Sequence, residues 1–251
     1  MFFVGSFCSC VSEPEEVTFF NPDQEFLIDL NQVLSSDGPH LVFEISSLDY
    51  FNCAEVIINS NLKLSGTSID LQIENFEIPE NCSIASGSGT NIGPLETAKG
   101  NPSIFLDALI YDISISAQDL FSNMGSVYSG NNQFRIEMGT TDGITVGRKT
   151  LNKIPNNHVW GWISTQGTAT SFLEDLSPFV YESDLLMLGD YGHFNVIDSD
   201  HLNIPGISGA LETTFIYEID DEDGLREYVK NIRENFTDVE LSITLSNGEE
   251  L

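Results

Sequence analysis

Two short acidic segments that contain histidine carry the residue types most capable of chemistry. The first runs from Asp190 to His193, and the second combines Asp198, Asp200 and His201. Carboxylate oxygens are preferred calcium ligands, and alternate carboxylates in Asp-x-Asp point to the same side of the chain. Asp198, Asp200 and His201 are therefore candidate metal ligands, and no cofactor other than calcium is indicated. The alternative is a turn between strands, because Asp and Ser side chains stabilise turns by bonding their own backbone.

The same segments supply the candidates for hydrolysis, which are Asp190, His193, Asp198 and His201. However, the four histidines do not have the spacing of a zinc hydrolase. Residues 206–209 do not form a nucleophile elbow, because the second glycine comes too early. The sequence therefore predicts no catalytic residue and favours a protein that is not an enzyme. An exported hydrolase is the third hypothesis.

Two tryptophans form a candidate sugar-binding face. Trp160 and Trp162 flank Gly161, so a strand here would place both indoles on one face, about 6.6 Å apart. This distance approaches the spacing of stacked sugar rings, whose apolar faces pack on aromatic side chains. The alternative is that both rings belong to the core.

Two cysteines near the N-terminus lie between an apolar run and an acidic stretch. Cys8 and Cys10 follow the apolar residues 1–7 and precede the acidic residues 11–16. An apolar run that ends at small residues before a cysteine suits lipoprotein signal peptidase, because the thiol must be free to take a diacylglycerol. Cys10, preceded by Ser9, is the better candidate for lipidation. The alternative is an ordinary N-terminus with two buried cysteines.

Together, residues 1–16 resemble the end of the signal peptide and the acidic tether of surface-exposed lipoproteins of the Bacteroidota. The stub has no basic region and few apolar residues, which indicates a truncated signal peptide. The resemblance implies an outer-membrane protein at the cell surface, attached to the membrane through a lipid anchor.

Cys53 and Cys82 are the pair that remains once Cys8 and Cys10 are assigned to the signal. An exported protein folds in an oxidising compartment, so these two cysteines are a candidate disulfide. Such a bond would stabilise the fold by about 3 to 4 kcal/mol on the chain-entropy model. Two reduced, buried thiols are the alternative.

The composition limits the partners. The chain has 39 Asp and Glu against 9 Lys and Arg, which gives a net charge of −30. This charge repels phosphate backbones, so nucleic acid is excluded as a partner. No later segment has the roughly 18 apolar residues needed to span a bilayer, so contact with the membrane is expected through the lipid alone.

Alternation of apolar and polar residues predicts the elements that would position these groups. It is clearest from Ser68 to Phe76, and turn signals such as residues 35–39 separate the alternating blocks. Asn247-Gly248 ends the last predicted strand. The fold class is therefore mainly β, an immunoglobulin-like antiparallel β-sandwich followed by a smaller α+β part. The end of that part is a strand at 211–219, a helix and a strand at 239–245. The helix has the acidic residues 220–223 at its N-terminus and a 3.6-residue apolar period through Leu225, Tyr228, Val229, Ile232 and Phe236.

The predicted organisation has four segments. Residues 1–10 are the truncated signal peptide and 11–20 the acidic tether. Residues 21–139 form the β-sandwich domain, and 140–251 form the α+β domain with its C-terminal strand-helix-strand unit. Residues 105–120, with Ile-Tyr-Asp at 110–112 and Ile-Ser at 115–116 where Leu-Ser is usual, are similar to the final strand and turn of laminin-G-like lectin domains. Too few residues precede this stretch for a complete domain of that kind.

These observations predict a non-catalytic, lipid-anchored surface protein with a binding or envelope-structural role. The second hypothesis is a carbohydrate-binding lipoprotein associated with glycan uptake. The expected partner is accordingly a polysaccharide or another surface protein.

Overall fold

The computed structural model describes residues 17–18, 20, 23–51, 56–79, 96–165, 169–183, 186–198, 201–207, 212–236 and 239–251. It confirms the predicted fold class, which is mainly β with a β-sandwich-like part followed by a smaller α+β part. Within these ranges no helix is long and apolar enough to cross a membrane.

The first part of the described chain forms one large sheet. Its strands are β1 (Val17–Thr18), β2 (Phe26–Val33), β3 (His40–Phe51), β4 (Ile57–Ser65), β5 (Ser68–Glu77), β6 (Glu96–Gly100), β7 (Ser103–Ile104), β8 (Ile110–Ala117), β9 (Phe121–Ser129), β10 (Gln133–Met138), β11 (Ile144–Val146) and β12 (Thr150–Asn152). The strand order is β11-β2-β3-β6-β4-β5-β8-β9-β10-β12, with β1 beside β5 and β7 beside β3.

The two end strands of this order are neighbours in the chain. β11 pairs with β2 and β12 pairs with β10, yet only residues 147–149 separate them. The Gly147 N–H donates to the Ile28 carbonyl oxygen (3.1 Å), and the Lys149 carbonyl oxygen accepts from the Ile136 N–H (2.9 Å). One continuous segment therefore joins both edges, so the sheet curls around its core.

Alternation along the strands places the core inside this curl. Ile69, Leu71 and Ile73 are fully buried, as the pattern predicts, whereas Asp70 on the opposite face is exposed. Three contacts are parallel rather than antiparallel: β2 with β11, β5 with β8, and one pair between β4 and β6. Sequence alternation identifies the buried face of a strand but does not specify the direction of its neighbours.

The second part contains two smaller sheets and two helices. Its elements are β13 (His158–Thr165), α1 (Ala169–Leu176), β14 (Val180–Tyr181), β15 (Gly189–Asp190), β16 (Asn195–Asp198), β17 (His201–Asn203), β18 (Glu212–Ile219), α2 (Glu222–Asn235) and β19 (Val239–Leu245). The four-stranded sheet has the order β14-β18-β13-β19, and the three-stranded sheet has the order β15-β16-β17. The predicted boundary after residue 139 falls between β10 and β11, both of which belong to the large sheet.

The predicted strand-helix-strand unit is present as β18, α2 and β19. The Asp221 side chain caps α2 by accepting from the Gly224 N–H (3.0 Å). Leu225, Val229 and Ile232 form the buried face of the helix. This face packs into the core formed with the four-stranded sheet.

β13 is covered on both faces. Val159 and Ile163 point to the core shared with the two helices, whereas Trp160 packs in a separate cluster with residues of the three-stranded sheet. The four-stranded sheet therefore lies between the helices and the three-stranded sheet.

Candidate functional site

Several predicted site residues fall outside the described part of the chain. These are Cys8, Cys10, Cys53, Cys82 and Asp200. Lipidation and the disulfide therefore stay predictions.

The backbone places the other two candidate metal ligands together. Asp198 ends β16, His201 begins β17, and the two residues pair across the strands. Within the described ranges, no group of three or more His, Cys, Asp and Glu side chains is placed to hold a metal ion. The calcium site stays a prediction.

The two tryptophans share one face of β13, as the spacing predicts, and this face is internal. Trp160 is only 9% exposed, and its ring centroid lies 5.1 Å from that of Phe194 and 5.6 Å from that of His193. Trp162 is half-buried and packs against the same cluster. Stacking on a sugar requires an accessible ring face. Trp160 therefore serves as a core residue here, and sugar binding by the pair stays a prediction.

Two of the candidates for hydrolysis, Asp190 and His193, are held in structural contacts. Asp190 forms an ion pair with Arg148 (2.7 Å) and accepts from the Gly192 N–H (2.6 Å). His193 Nε2 lies 2.9 Å from the Gln32 carbonyl oxygen, and burial lowers the pKa of this imidazole below its usual value. These contacts attach the loop between β15 and β16 to the large sheet.

A polar groove lies where the turn between β2 and β3 meets the turn after β19. It has a volume of about 240 Å³ and is lined by polar residues and one glycine: Ser35, Ser36, Asp37, Gly38, Asn156, Ser246 and Asn247. The lining supplies hydroxyl and amide groups, which donate and accept hydrogen bonds, and a carboxylate, which accepts them. We define these seven residues as the polar groove.

Two tight turns position the groove. The Gly38 N–H donates to the Ser35 carbonyl oxygen (3.1 Å), and the φ angle of +116° at Gly38 favours glycine. Gly248 has a φ of +85°, and a Cβ atom at this position would lie 2.8 Å from the Leu34 carbonyl oxygen. The second turn therefore packs directly against the backbone that leads into the first.

The groove contains a serine, an aspartate and a neighbouring histidine in an order unsuited to catalysis. Ser35 Oγ donates to Asp37 Oδ1, and His40 Nε2 lies 3.2 Å from the same oxygen. A nucleophilic serine needs the imidazole as its direct partner, whereas here the carboxylate lies between them. The hydrogen bond from Ser35, and then that from His40, lowers the pKa of Asp37. The groove thus carries a stable negative charge.

An aromatic ring lies at the border of the groove. Phe105 is 41% exposed, and its ring centroid lies 5.4 Å from that of His40. A Cβ atom at Gly38 would be 3.7 Å from the Phe105 ring. The polar lining is therefore next to an accessible apolar surface.

The buried His158 contacts the backbone or side chain of two residues that line the groove. It is fully buried, and its Nδ1 lies 2.9 Å from the Asn156 carbonyl oxygen. Its backbone N–H donates to Ser246 Oγ (3.3 Å), and its carbonyl oxygen accepts from the Ser246 N–H (2.8 Å). On the other side of the ring, Nε2 lies 2.6 Å from Ser183 Oγ. His158 thereby contacts two groove residues and one serine outside the lining.

Sequence reasoning identified the turns at 35–39 and 247–248 but not their convergence, because they lie at opposite ends of the chain. It also missed the contact between His158 and Ser183, since a pair of this kind has no fixed sequence spacing.

No protein-family model, curated protein or solved structure matches this chain. The function must therefore be argued from the groove and its chemistry.

Proposed function

We propose that the protein is a lipid-anchored cell-surface protein that binds its ligand in the polar groove. The observation that supports a binding role most directly is the lining itself, in which the side chains of three segments distant in sequence supply hydrogen-bonding groups around one cavity. Convergent polar groups in a concave site fix the orientation of a small ligand. Because the hydroxyl of Ser35 is directed to a carboxylate rather than to His40, the groove favours binding over nucleophilic chemistry.

The chemistry of the groove favours a neutral carbohydrate, which is the second of the sequence hypotheses. Sugar hydroxyls both donate and accept, and so do the serine and asparagine side chains of the lining. Phe105 offers a ring surface for the apolar face of a sugar. The lining contains a carboxylate but no Lys or Arg, and the chain carries a net charge of −30. Both features oppose a sulfated or carboxylated glycan.

Retention on immobilised polysaccharides tests the ligand. We expect retention on a neutral polysaccharide and none on a sulfated polysaccharide of the same backbone. Asn156→Ala removes an amide from the lining and should weaken binding about tenfold, which corresponds to the loss of one or two hydrogen bonds. Asn101→Ala is the matched control, because Asn101 is exposed and lies outside the groove.

Melting temperatures of both variants separate binding from folding. We expect both to melt close to the wild type, since Asn156 and Asn101 are exposed. Equal retention of Asn156→Ala and Asn101→Ala would show that the groove is not the sugar site. Trp162→Ala then tests the half-buried indole as the alternative contact.

The lipid anchor is supported by the sequence pattern before Cys10. Metabolic labelling with an alkyne fatty acid in the native host, using the full upstream reading frame, tests it. We expect incorporation that is lost with Cys10→Ala and retained with Cys8→Ala. Protease treatment of whole cells should then remove the protein. Labelling that persists in Cys10→Ala would place the anchor elsewhere, and the absence of label in the wild type would exclude it.

A further inference from the structure

We propose that Ser183 is a nucleophile activated by His158 and that it can accept an acyl group from a carboxylic ester. This activity goes beyond the proposed binding role and does not depend on the groove holding a sugar. The juxtaposition that carries it is a line of three groups, Ser183 Oγ, the His158 imidazole and the Asn156 carbonyl oxygen.

The hydrogen bonds determine which nitrogen of His158 carries the proton. A carbonyl oxygen can only accept, so Nδ1, which lies 2.9 Å from the Asn156 oxygen, must be the N–H donor. In the neutral ring Nε2 then has a lone pair, and it accepts from the Ser183 hydroxyl at 2.6 Å. This is the tautomer that a general base for serine requires, with a third group holding the ring in place.

Burial supports the same role. His158 is fully buried, whereas Ser183 is half-buried. The base is therefore shielded from water and fixed by its backbone contacts with Ser246. Hydrogen bonds are stronger in such a low-dielectric setting, which favours a well-oriented imidazole.

The reaction with an ester balances without a further oxidant or reductant. The Oγ–C bond of an acyl-serine forms as the bond between the acyl carbon and the alcohol oxygen breaks. His158 Nε2 takes the hydroxyl proton and passes it to the departing alcohol oxygen. Water then attacks the acyl carbon as His158 Nε2 takes a proton from it. The Oγ–C bond breaks, Nε2 returns the proton to Ser183 Oγ, and the carboxylic acid is released.

A fluorophosphonate probe tests the nucleophile directly. It forms an Oγ–P bond, fluoride leaves, and His158 takes the serine proton. We expect peptide mapping of the native wild-type protein to place the label on Ser183. Ser183→Ala should abolish it, and Ser126→Ala should not change it, because Ser126 is a half-buried serine of the large sheet that no imidazole contacts among the described residues.

His158→Gln separates a base from a merely structural side chain. Glutamine keeps an oxygen that can accept from Ser183 but cannot take up its proton, so the labelling rate should fall about 100-fold. Circular dichroism and the melting temperature identify variants that fail to fold. Because wild-type mapping needs no variant, the absence of label on native Ser183 overturns the proposal by itself. An unchanged rate in folded His158→Gln also overturns it.

Discussion

Replacing Gln32 by alanine should cause one of the largest losses of stability in this chain. Gln32 ends the core-facing part of β2 and is 1% exposed. Its Nε2 donates to the carbonyl oxygens of Asn152 (2.9 Å) and Tyr191 (2.6 Å), and its Oε1 accepts from the Ile154 N–H (3.3 Å). One side chain thus joins the large sheet to the segment that leads into β13 and to the loop after β15.

The magnitude follows from the three backbone groups that Gln32→Ala would leave without their partner. Each buried polar group left unsatisfied costs about 1 to 3 kcal/mol, and relaxation reduces the sum, so we expect a loss of about 3 to 5 kcal/mol. Urea unfolding followed by tryptophan fluorescence measures it, because Trp160 and Trp162 pack in the cluster that Gln32 borders through Tyr191.

Gln72→Ala is the matched control for this measurement. Gln72 lies on the outward side of β5 and makes no side-chain hydrogen bond with the described residues. We expect a loss below about 1 kcal/mol for this variant. If Gln32→Ala costs no more than Gln72→Ala, the three bonds do not stabilise the junction and the reasoning is refuted.

Three further outcomes follow from the core and from one titrating group. Trp160→Ala should cost about 3 to 5 kcal/mol in urea unfolding and Trp162→Ala clearly less, because only the first ring is buried. Gly161→Ala should cost about 3 kcal/mol in the same assay, since its Cβ would lie 2.0 Å from the Ser242 carbonyl oxygen; a melting temperature equal to that of the wild type would contradict this. Burial lowers the pKa of His193 below its ordinary value of 6.5. The neutral imidazole therefore stabilises the folded state above pH 6.5, and this stabilisation is lost as the pH falls below 6.5. His193→Gln should therefore reduce the difference in urea midpoint between about pH 7.5 and pH 5.5, and an unchanged difference would exclude His193 as its source.

Local periodicity predicted the elements of this fold well. Ile69, Leu71 and Ile73 lie in the core, and the helix with Leu225 and Val229 begins at Glu222, within the predicted acidic run. These predictions succeed because each depends on residues close together in sequence. The same holds for the shared face of Trp160 and Trp162, although periodicity could not say that this face is covered by the three-stranded sheet.

The sheet closure, the polar groove and the pair of His158 and Ser183 depend on contacts between residues far apart in sequence, so the sequence did not predict them. The closure of the large sheet depends on β11 and β12, which are only three residues each and too short for a clear alternating pattern. The polar groove depends on residues 35–38 meeting Asn247, a contact between the two ends of the chain. The pair of His158 and Ser183 likewise joins a strand to the segment after β14. A single sequence contains no periodic signal for such long-range contacts.

The width of the polar groove is set by packing outside it. Gly248 lies against the Leu34 backbone, His158 holds Asn156 and Ser246, and Gln32 fixes the strand that leads into Ser35. Asn247 Oδ1 accepts from the Glu249 N–H (2.9 Å) within its own turn. None of the contacts uses the Asn156 side chain, so that amide is presented on a framework that is already formed. A preformed site loses little conformational entropy when a ligand binds. A weak, neutral ligand such as a sugar benefits most from this arrangement, because it offers no strong charge interaction to offset the ordering of loops.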